Sequence, residues 1–329
     1  MKIVLDAMGS DNAPMVEVEG AIQAIEEYGN EVILVGDEAR VKAEIAKHGF
    51  SSDKLTVKHA SEIIEMHDPA AISVRRKRNS SIVVGMDLIK KGQADAFVSA
   101  GNTGAVVCAA TLFLRLLPGV ERPGIAIVIP TLKGTSVIID VGANITSKPI
   151  HLMQYGIMAD AFSRYILGKT NPTVGLLNVG EEESKGTEFI KEAHTLLSES
   201  KLNFTGNIEG RDVYAGKVDI ILCDGFVGNV ILKISESVAD TIMQSLKQEI
   251  KANFIATIGA VLSSSAFNEL KRKMDYSERG GAPLLGVDGR CIISHGSSSA
   301  KAIKNAIRVA SEFVKKDVNK HIVEELESY

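Results

Sequence analysis

Glycines and small polar residues recur in this sequence wherever an apolar run of strand length ends. In SAGNTGA, residues 99–105, Ser99, Asn102 and Thr103 offer hydrogen bonds, while Gly101 and Gly104 remove side-chain bulk just before a helical pattern begins. A turn of that kind presents unpaired backbone amides at a helix start and binds anions. DAMGSDNAP, residues 6–14, has Gly9 for a tight turn, Ser10, Asp11 and Asn12 as polar lining, and Pro14 suited to a first helical turn. DVGANITSKP (140–149) carries Asn144, and LLNVGEEESKG (176–186) carries Gly180 and Lys185, a mobile cation beside an amide-rich turn. CDGFVGNV (223–230) supplies Asp224 and Asn229, and HGSSSAKA (295–302) supplies His295, Gly296 and Ser297. His59 ends the run LTVKH, and RRKRNS (75–80) places Arg75, Arg76, Lys77 and Arg78 before Asn79. Arginine's planar fork suits bidentate phosphate binding, and the same cluster suits steering of an acidic partner.

Amides, hydroxyls, lysine, arginine and histidine together bind oxyanions. They can orient phosphate against an activated carbonyl and stabilise the charge developing on the carbonyl oxygen. The same groups fit a phosphate-binding isomerase, a kinase-like enzyme or a dehydrogenase. No GxSxG elbow supports a hydrolase serine, and neither GxGxxG nor GxxxxGK[ST] supports a dinucleotide or nucleoside triphosphate. Asp6 and Asp11 lack a third ligand at metal spacing, so no metal is expected.

These turns can meet only if the strands before them share a sheet. Strand-like runs near 2–6, 31–36, 55–59, 94–99, 173–179, 203–206, 218–223 and 291–294 alternate with helical periodicity, the pattern of crossovers on a mostly parallel sheet. Between 124–130 and 135–140 only TLKGT intervenes, which predicts a hairpin and therefore a mixed sheet. The expectation is a three-layer α/β fold with Rossmann-like organisation, in one unit over 1–329. Helices are expected over Pro14 to Tyr28, Val41 to His48, Thr103 to Leu117, Ile150 to Leu167 and Thr187 to Ser198. From Asn229, Ile234, Val238, Ile242, Leu246 and Ile250 recur every four residues and predict a long amphipathic helix, the best dimer element in the chain. FIATIGAVL (254–262), with Ile258, is too short to span a bilayer but suits dimer packing, lining of an acyl tunnel or membrane contact within a subregion near 229–275.

With 329 residues, 45% hydrophobic, the chain can bury a substantial core. A net charge of -4, 5% aromatic residues and no tryptophan argue against nucleic-acid binding. Cys108, Cys223 and Cys291 are widely spaced and fit no disulfide framework, so a reducing cytoplasm is expected.

Taken in order, DAMGSDNAP, VKHASEII, RRKRNSS, SAGNTGA, DVGAN, LLNVGEEESKG, DGFVGNV, YSERGGAPLLG and HGSSSAKA resemble the bacterial phosphate acyltransferases of phospholipid synthesis over about residues 1–320. The resemblance implies a fold like that of phosphotransacetylases and isocitrate-type dehydrogenases. The implied reaction takes a fatty acyl group from acyl carrier protein to inorganic phosphate, without a cofactor, and yields acyl phosphate for a membrane glycerol-3-phosphate acyltransferase. It also implies a cytoplasmic homodimer that can associate peripherally with the membrane. Ser99 through Gly104 would meet phosphate or thioester, with Asn144 and Gly180 lining the cleft and Lys185 neutralising charge. Asp224 and Asn229 would complete its polar wall beside His59 and His295. Arg75 to Arg78, or Lys271, Arg272 and Lys273, would dock the acidic carrier protein. Two departures stand out: Ser10 where the family usually has glycine, and Asn12 where many members have histidine. A nicotinamide-dependent dehydrogenase of related fold and a carrier-protein-binding scaffold without turnover are the rival expectations.

Overall fold

The computed structural model describes every residue except 268, 270–279 and 329. Lys271, Arg272 and Lys273 therefore lie outside the described residues. The strands are β1 (Lys2–Asp6), β2 (Glu31–Gly36), β3 (Leu55–His59), β4 (Ala96–Ser99), β5 (Gly124–Thr131), β6 (Gly134–Ile139), β7 (Val174–Leu177), β8 (Phe204–Ile208), β9 (Ile220–Leu222), β10 (Ala282–Leu285) and β11 (Cys291–Ile293). They form one sheet in the order β3-β2-β1-β4-β11-β10-β5-β6-β9-β7-β8.

Helices cover both faces: α1 (Met15–Tyr28), α2 (Glu38–Lys47), α3 (Ala70–Arg76), α4 (Ser81–Lys90), α5 (Thr103–Phe113), α6 (Pro149–Tyr165), α7 (Glu188–Ser198), α8 (Gly225–Ala252), α9 (Phe254–Leu262), α10 (Ala300–Lys315) and α11 (Val318–Glu327). Side chains alternate across a strand, so each strand feeds two cores. Ile3 and Leu5 pack with α1 and α10 residues such as Ile25 and Ile303, whereas Val4 joins Met86 of α4 and Val106 of α5. In β6, Val137 and Ile139 face the α6 core with Tyr155 and Phe162, and Ile138 faces the other way. The three-layer reading holds.

Strand direction departs from a simple parallel expectation. β3, β2, β1, β4 and β11 run parallel to one another, and β6, β9, β7 and β8 form a second parallel block. β10 is antiparallel to both β11 and β5, and β5 is antiparallel to β6. The second block therefore runs opposite to the first, and the carboxyl ends of the two blocks leave opposite ends of the sheet. Three successive antiparallel pairings, β11 with β10, β10 with β5 and the hairpin of β5 with β6, produce this reversal. Sequence patterning missed β10, whose APLL is short, and extended α5 to Leu117, although Leu116 bridges Val287 in extended conformation. α8 starts at Gly225, one turn before Asn229, because Asp224 caps it by accepting from the Val227 amide at 2.9 Å.

Candidate active site

The first-block loops close around a buried carboxylate. Asp6 ends β1 with 1% exposure, accepts the Met8 amide at 3.0 Å and accepts the Ser99 hydroxyl at 2.8 Å. Ser99 in turn accepts the Gly101 amide at 3.0 Å, so the loop after β4 is tied to the loop after β1. Burial raises the Asp6 pKa, against hydrogen bonds from Ser81, Ser99 and Met8 that favour the ionised form. Gly9 lies against Gly101 so closely that a Cβ on it would sit 2.6 Å from the Gly101 amide nitrogen. The Asp11 amide donates to the Gly296 carbonyl at 2.8 Å, bringing in the loop after β11. Three strand-end loops thus make one glycine-walled cradle at the starts of α1, α5 and α10.

The second block repeats the device. Asp140, fully buried just after β6, accepts from the amides of Ile125, Gly142, Ala143 and Asn144 at 2.8–3.1 Å. Desolvation raises its pKa while these N–H groups pull the other way. The Gly225 amide donates to the Asn144 carbonyl at 3.0 Å, and Asn229 packs on Gly142. These contacts fasten the α8 start to the Asp140 loop.

α8 is the link between the groups. From Gly225 to Lys233 the helix rises roughly 12 Å, and the Lys233 Nζ then lies 3.0 Å from His295 Nε2 in the first-block loops. Nδ1 of the same ring lies 2.7 Å from Ser297 Oγ and accepts the Ser297 amide at 3.2 Å. A cation, an imidazole and a hydroxyl therefore stand in line where α8 meets the cradle.

The comparisons with known proteins decide the family. Residues 1–321 match the family described as "Fatty acid synthesis protein". A phosphate acyltransferase of Geotalea daltonii is 50% identical over 327 residues, 99% of this chain and 94% of the relative. One of Geotalea uraniireducens is 51% identical over the same shares. The chain belongs to this phosphate acyltransferase family. The EutD phosphotransacetylase of Staphylococcus aureus superposes with TM-score 0.62 at 17% identity, covering 95% of this chain and 94% of that one. A 4-hydroxythreonine-4-phosphate dehydrogenase of Klebsiella pneumoniae superposes with TM-score 0.53 at 12% identity, covering 95% and 97%. Those two likenesses concern fold.

In this phosphate acyltransferase fold the predicted residues separate into groups. Gly9, Asp11, Ser99, Gly101, Gly104, His295, Gly296 and Ser297 belong to the first-block loops, with Asn12 and Thr103 exposed beside them. Asn144, Asp224 and Asn229 belong to the second. Asn102 is an internal brace: its amide donates to the carbonyls of Glu65, Met66 and Asp68, each at 3.1 Å, and its oxygen caps α5. Asn144 is likewise spent on Pro123, Tyr155 and Asp140. Ser10 turns inward, its Oγ buried without a partner.

Lys185 and Gly180 sit in the loop after β7, at the same end of the sheet as the Asp140 loop. Asn178 braces that loop through the Lys185 carbonyl at 3.1 Å, and the Lys185 side chain is exposed. His59, Arg78 and Asn79 line a separate pocket of about 440 Å³ with Lys58, Val83, Val84, Asp87 and Phe113. There the Arg78 guanidinium lies 5.6 Å from the Phe113 ring centroid. Arg75 and Arg76 are exposed at the end of α3, whereas Lys77 is structural, paired with Asp68 at 2.6 Å. Sequence reasoning passed over Asp140, Glu17, Tyr155 and Lys233. The signal for Asp140 was present, an aspartate ending an apolar strand before a glycine, as Asp6 is in LDAMG. Among the described residues no group of three or more His, Cys, Asp or Glu side chains is placed to hold a metal.

Proposed function

We propose that this chain transfers a long-chain fatty acyl group from acyl carrier protein to inorganic phosphate. A phosphate oxygen attacks the thioester carbonyl carbon, the C–S bond breaks, and the carrier leaves as a thiolate that takes up a proton. The products are acyl phosphate and free carrier protein. The family membership supports acyl transfer involving phosphate, and the observation that carries the site is the glycine-walled cradle met by Lys233 and His295 at the α8 crossing. Backbone amides and an ammonium group suit a dianion and the oxyanion that forms beside it. Dibasic phosphate is already a nucleophile, so positioning carries much of the rate. Lys185, on its exposed loop, is the further cation suited to neutralising phosphate as substrate enters.

The acidic carrier protein fits the exposed Arg75 and Arg76 at the end of α3. Acyl phosphate is an amphiphile, so hand-off to a membrane glycerol-3-phosphate acyltransferase is best served by a cytoplasmic dimer that touches the inner membrane face. No helix among the described residues is long and apolar enough to cross a membrane. The test is mass spectrometry of products from palmitoyl-acyl carrier protein and isotopically labelled phosphate, without added metal or nucleotide. Labelled palmitoyl phosphate with free carrier protein is the expected result; intact thioester with verified folded enzyme overturns the reading.

A further inference from the structure

Glu17 is anomalous. A glutamate in a first helical turn ordinarily faces solvent near the positive end of the helix dipole, yet Glu17 in α1 is 0% exposed. Its Oε1 accepts the Ser10 amide at 3.0 Å. Its Oε2 is buried with no hydrogen-bond partner, and the Ser10 Oγ is buried and unpartnered as well. Two orphaned oxygens on residues already joined by a hydrogen bond are costly. One hydrogen bond between Glu17 Oε2 and Ser10 Oγ satisfies both, with the serine hydroxyl donating to a carboxylate or a protonated carboxyl donating to the serine, while Oε1 keeps the amide. Burial pushes the Glu17 carboxyl up to about 7, against hydrogen bonds from the Ser10 side chain and amide that favour the ionised form, and the Asp6 charge adds to the rise.

We propose that Glu17 is a positioning residue for the anion cradle, gripping Ser10 at two points, accepting from its amide and sharing a hydrogen bond with its hydroxyl. The consequence passes along the loop. Ser10 stands between Gly9, seated on Gly101, and Asp11, whose amide holds Gly296. Fixing Ser10 therefore fixes the register of the β1 loop against the other two walls. Glu17 lies behind the cradle and acts only through Ser10. This inference rests on the cradle being the phosphate site, and it assigns a use to the serine at position 10.

The experiment measures the dissociation constant for inorganic phosphate by calorimetry, and KM for phosphate and kcat, all at pH 6, in wild type, Glu17→Gln, Glu17→Ala and Ser10→Ala. Glutamine can reproduce both hydrogen bonds, so E17Q should stay within twofold of wild type. E17A should weaken phosphate binding and raise KM roughly fivefold or more, as loss of about one buried hydrogen bond implies, with kcat changed less than twofold. S10A should show a smaller change of the same kind and keeps the test decisive if E17A does not fold. Unchanged phosphate binding in E17A and S10A, or an E17Q defect as large as that of E17A, overturns the clamp alone. A wild-type protein that neither binds phosphate nor turns over overturns the cradle reading, and the clamp falls with it.

Discussion

Two aspartates and one glutamate organise the loops that the chemistry needs, and each is buried. Asp6 and Asp140 gather amides and hydroxyls, and in doing so arrange the remaining N–H groups around the cleft. Burial raises the carboxyl pKa of all three, and Glu17 is the one left with a buried unpartnered oxygen. Its pKa is raised from 4.5 to about 7 in the folded chain, so its stabilising contribution is fully present below the unfolded value and is lost as pH rises through about 7. Glutamine does not titrate. Relative to wild type, E17Q should therefore gain stability as pH rises, by about 3 kcal/mol across the whole interval and most of that between pH 5 and pH 8. Urea unfolding of both proteins at the two pH values checks this, since groups common to both cancel in the difference. An equal difference at pH 5 and pH 8 would show that Glu17 is not neutral in the fold.

At the scale of elements, the site depends on where α8 begins. A Cβ on Gly228 would fall 1.9 Å from the Asp140 carbonyl oxygen and 3.0 Å from Cys223 Sγ, so the first turn of α8 has no room for a side chain there. Gly228→Ala should push α8 off the Asp140 loop, cost about 2 kcal/mol or more, and part Lys233 from His295. Gly259→Ala in α9, where nothing lies within 4 Å of the added Cβ, should instead gain up to about 1 kcal/mol from helix propensity. Urea unfolding and phosphate titration of both variants separate close packing from a general intolerance of glycine substitution.

The same elements show what the sequence can and cannot reveal. Period-two patterning in KIVLD and GTSVII marks strands and even assigns faces, since local sterics dictate alternation. Glycine-rich turns after those strands were equally legible. The sense of the second block was not, because it is set by non-local pairing of β10 with both β11 and β5. Nor could composition distinguish an asparagine facing a ligand from Asn102 or Asn144, whose amides are used up on buried carbonyls and side chains. Lys233 carries no local signal either, because its neighbour His295 is 62 residues away in the chain.

At the scale of the whole molecule, α8 and α9 leave an apolar surface uncovered in the single chain. Ile234, Val238 and Ile242 are 58%, 50% and 57% exposed, at the four-residue spacing of one helix face. On α9, Phe254, Ile255 and Leu262 are about 80% exposed, with Ile258 and Val261 beside them. Full burial of one such side chain is worth about 1.5–3 kcal/mol, so the two surfaces can sustain separate contacts. The stripe on α8 suits pairing with its own copy about a two-fold axis, whereas α9 is short, apolar and without charge, suited to the acyl boundary of a bilayer. Ile242→Asp should therefore shift the protein to monomer in sedimentation velocity. Ile258→Asp should keep the dimer and abolish flotation with anionic liposomes. If I258D dissociates the protein, α9 belongs to a subunit contact instead; if it floats unchanged as a dimer, α9 is not a membrane contact.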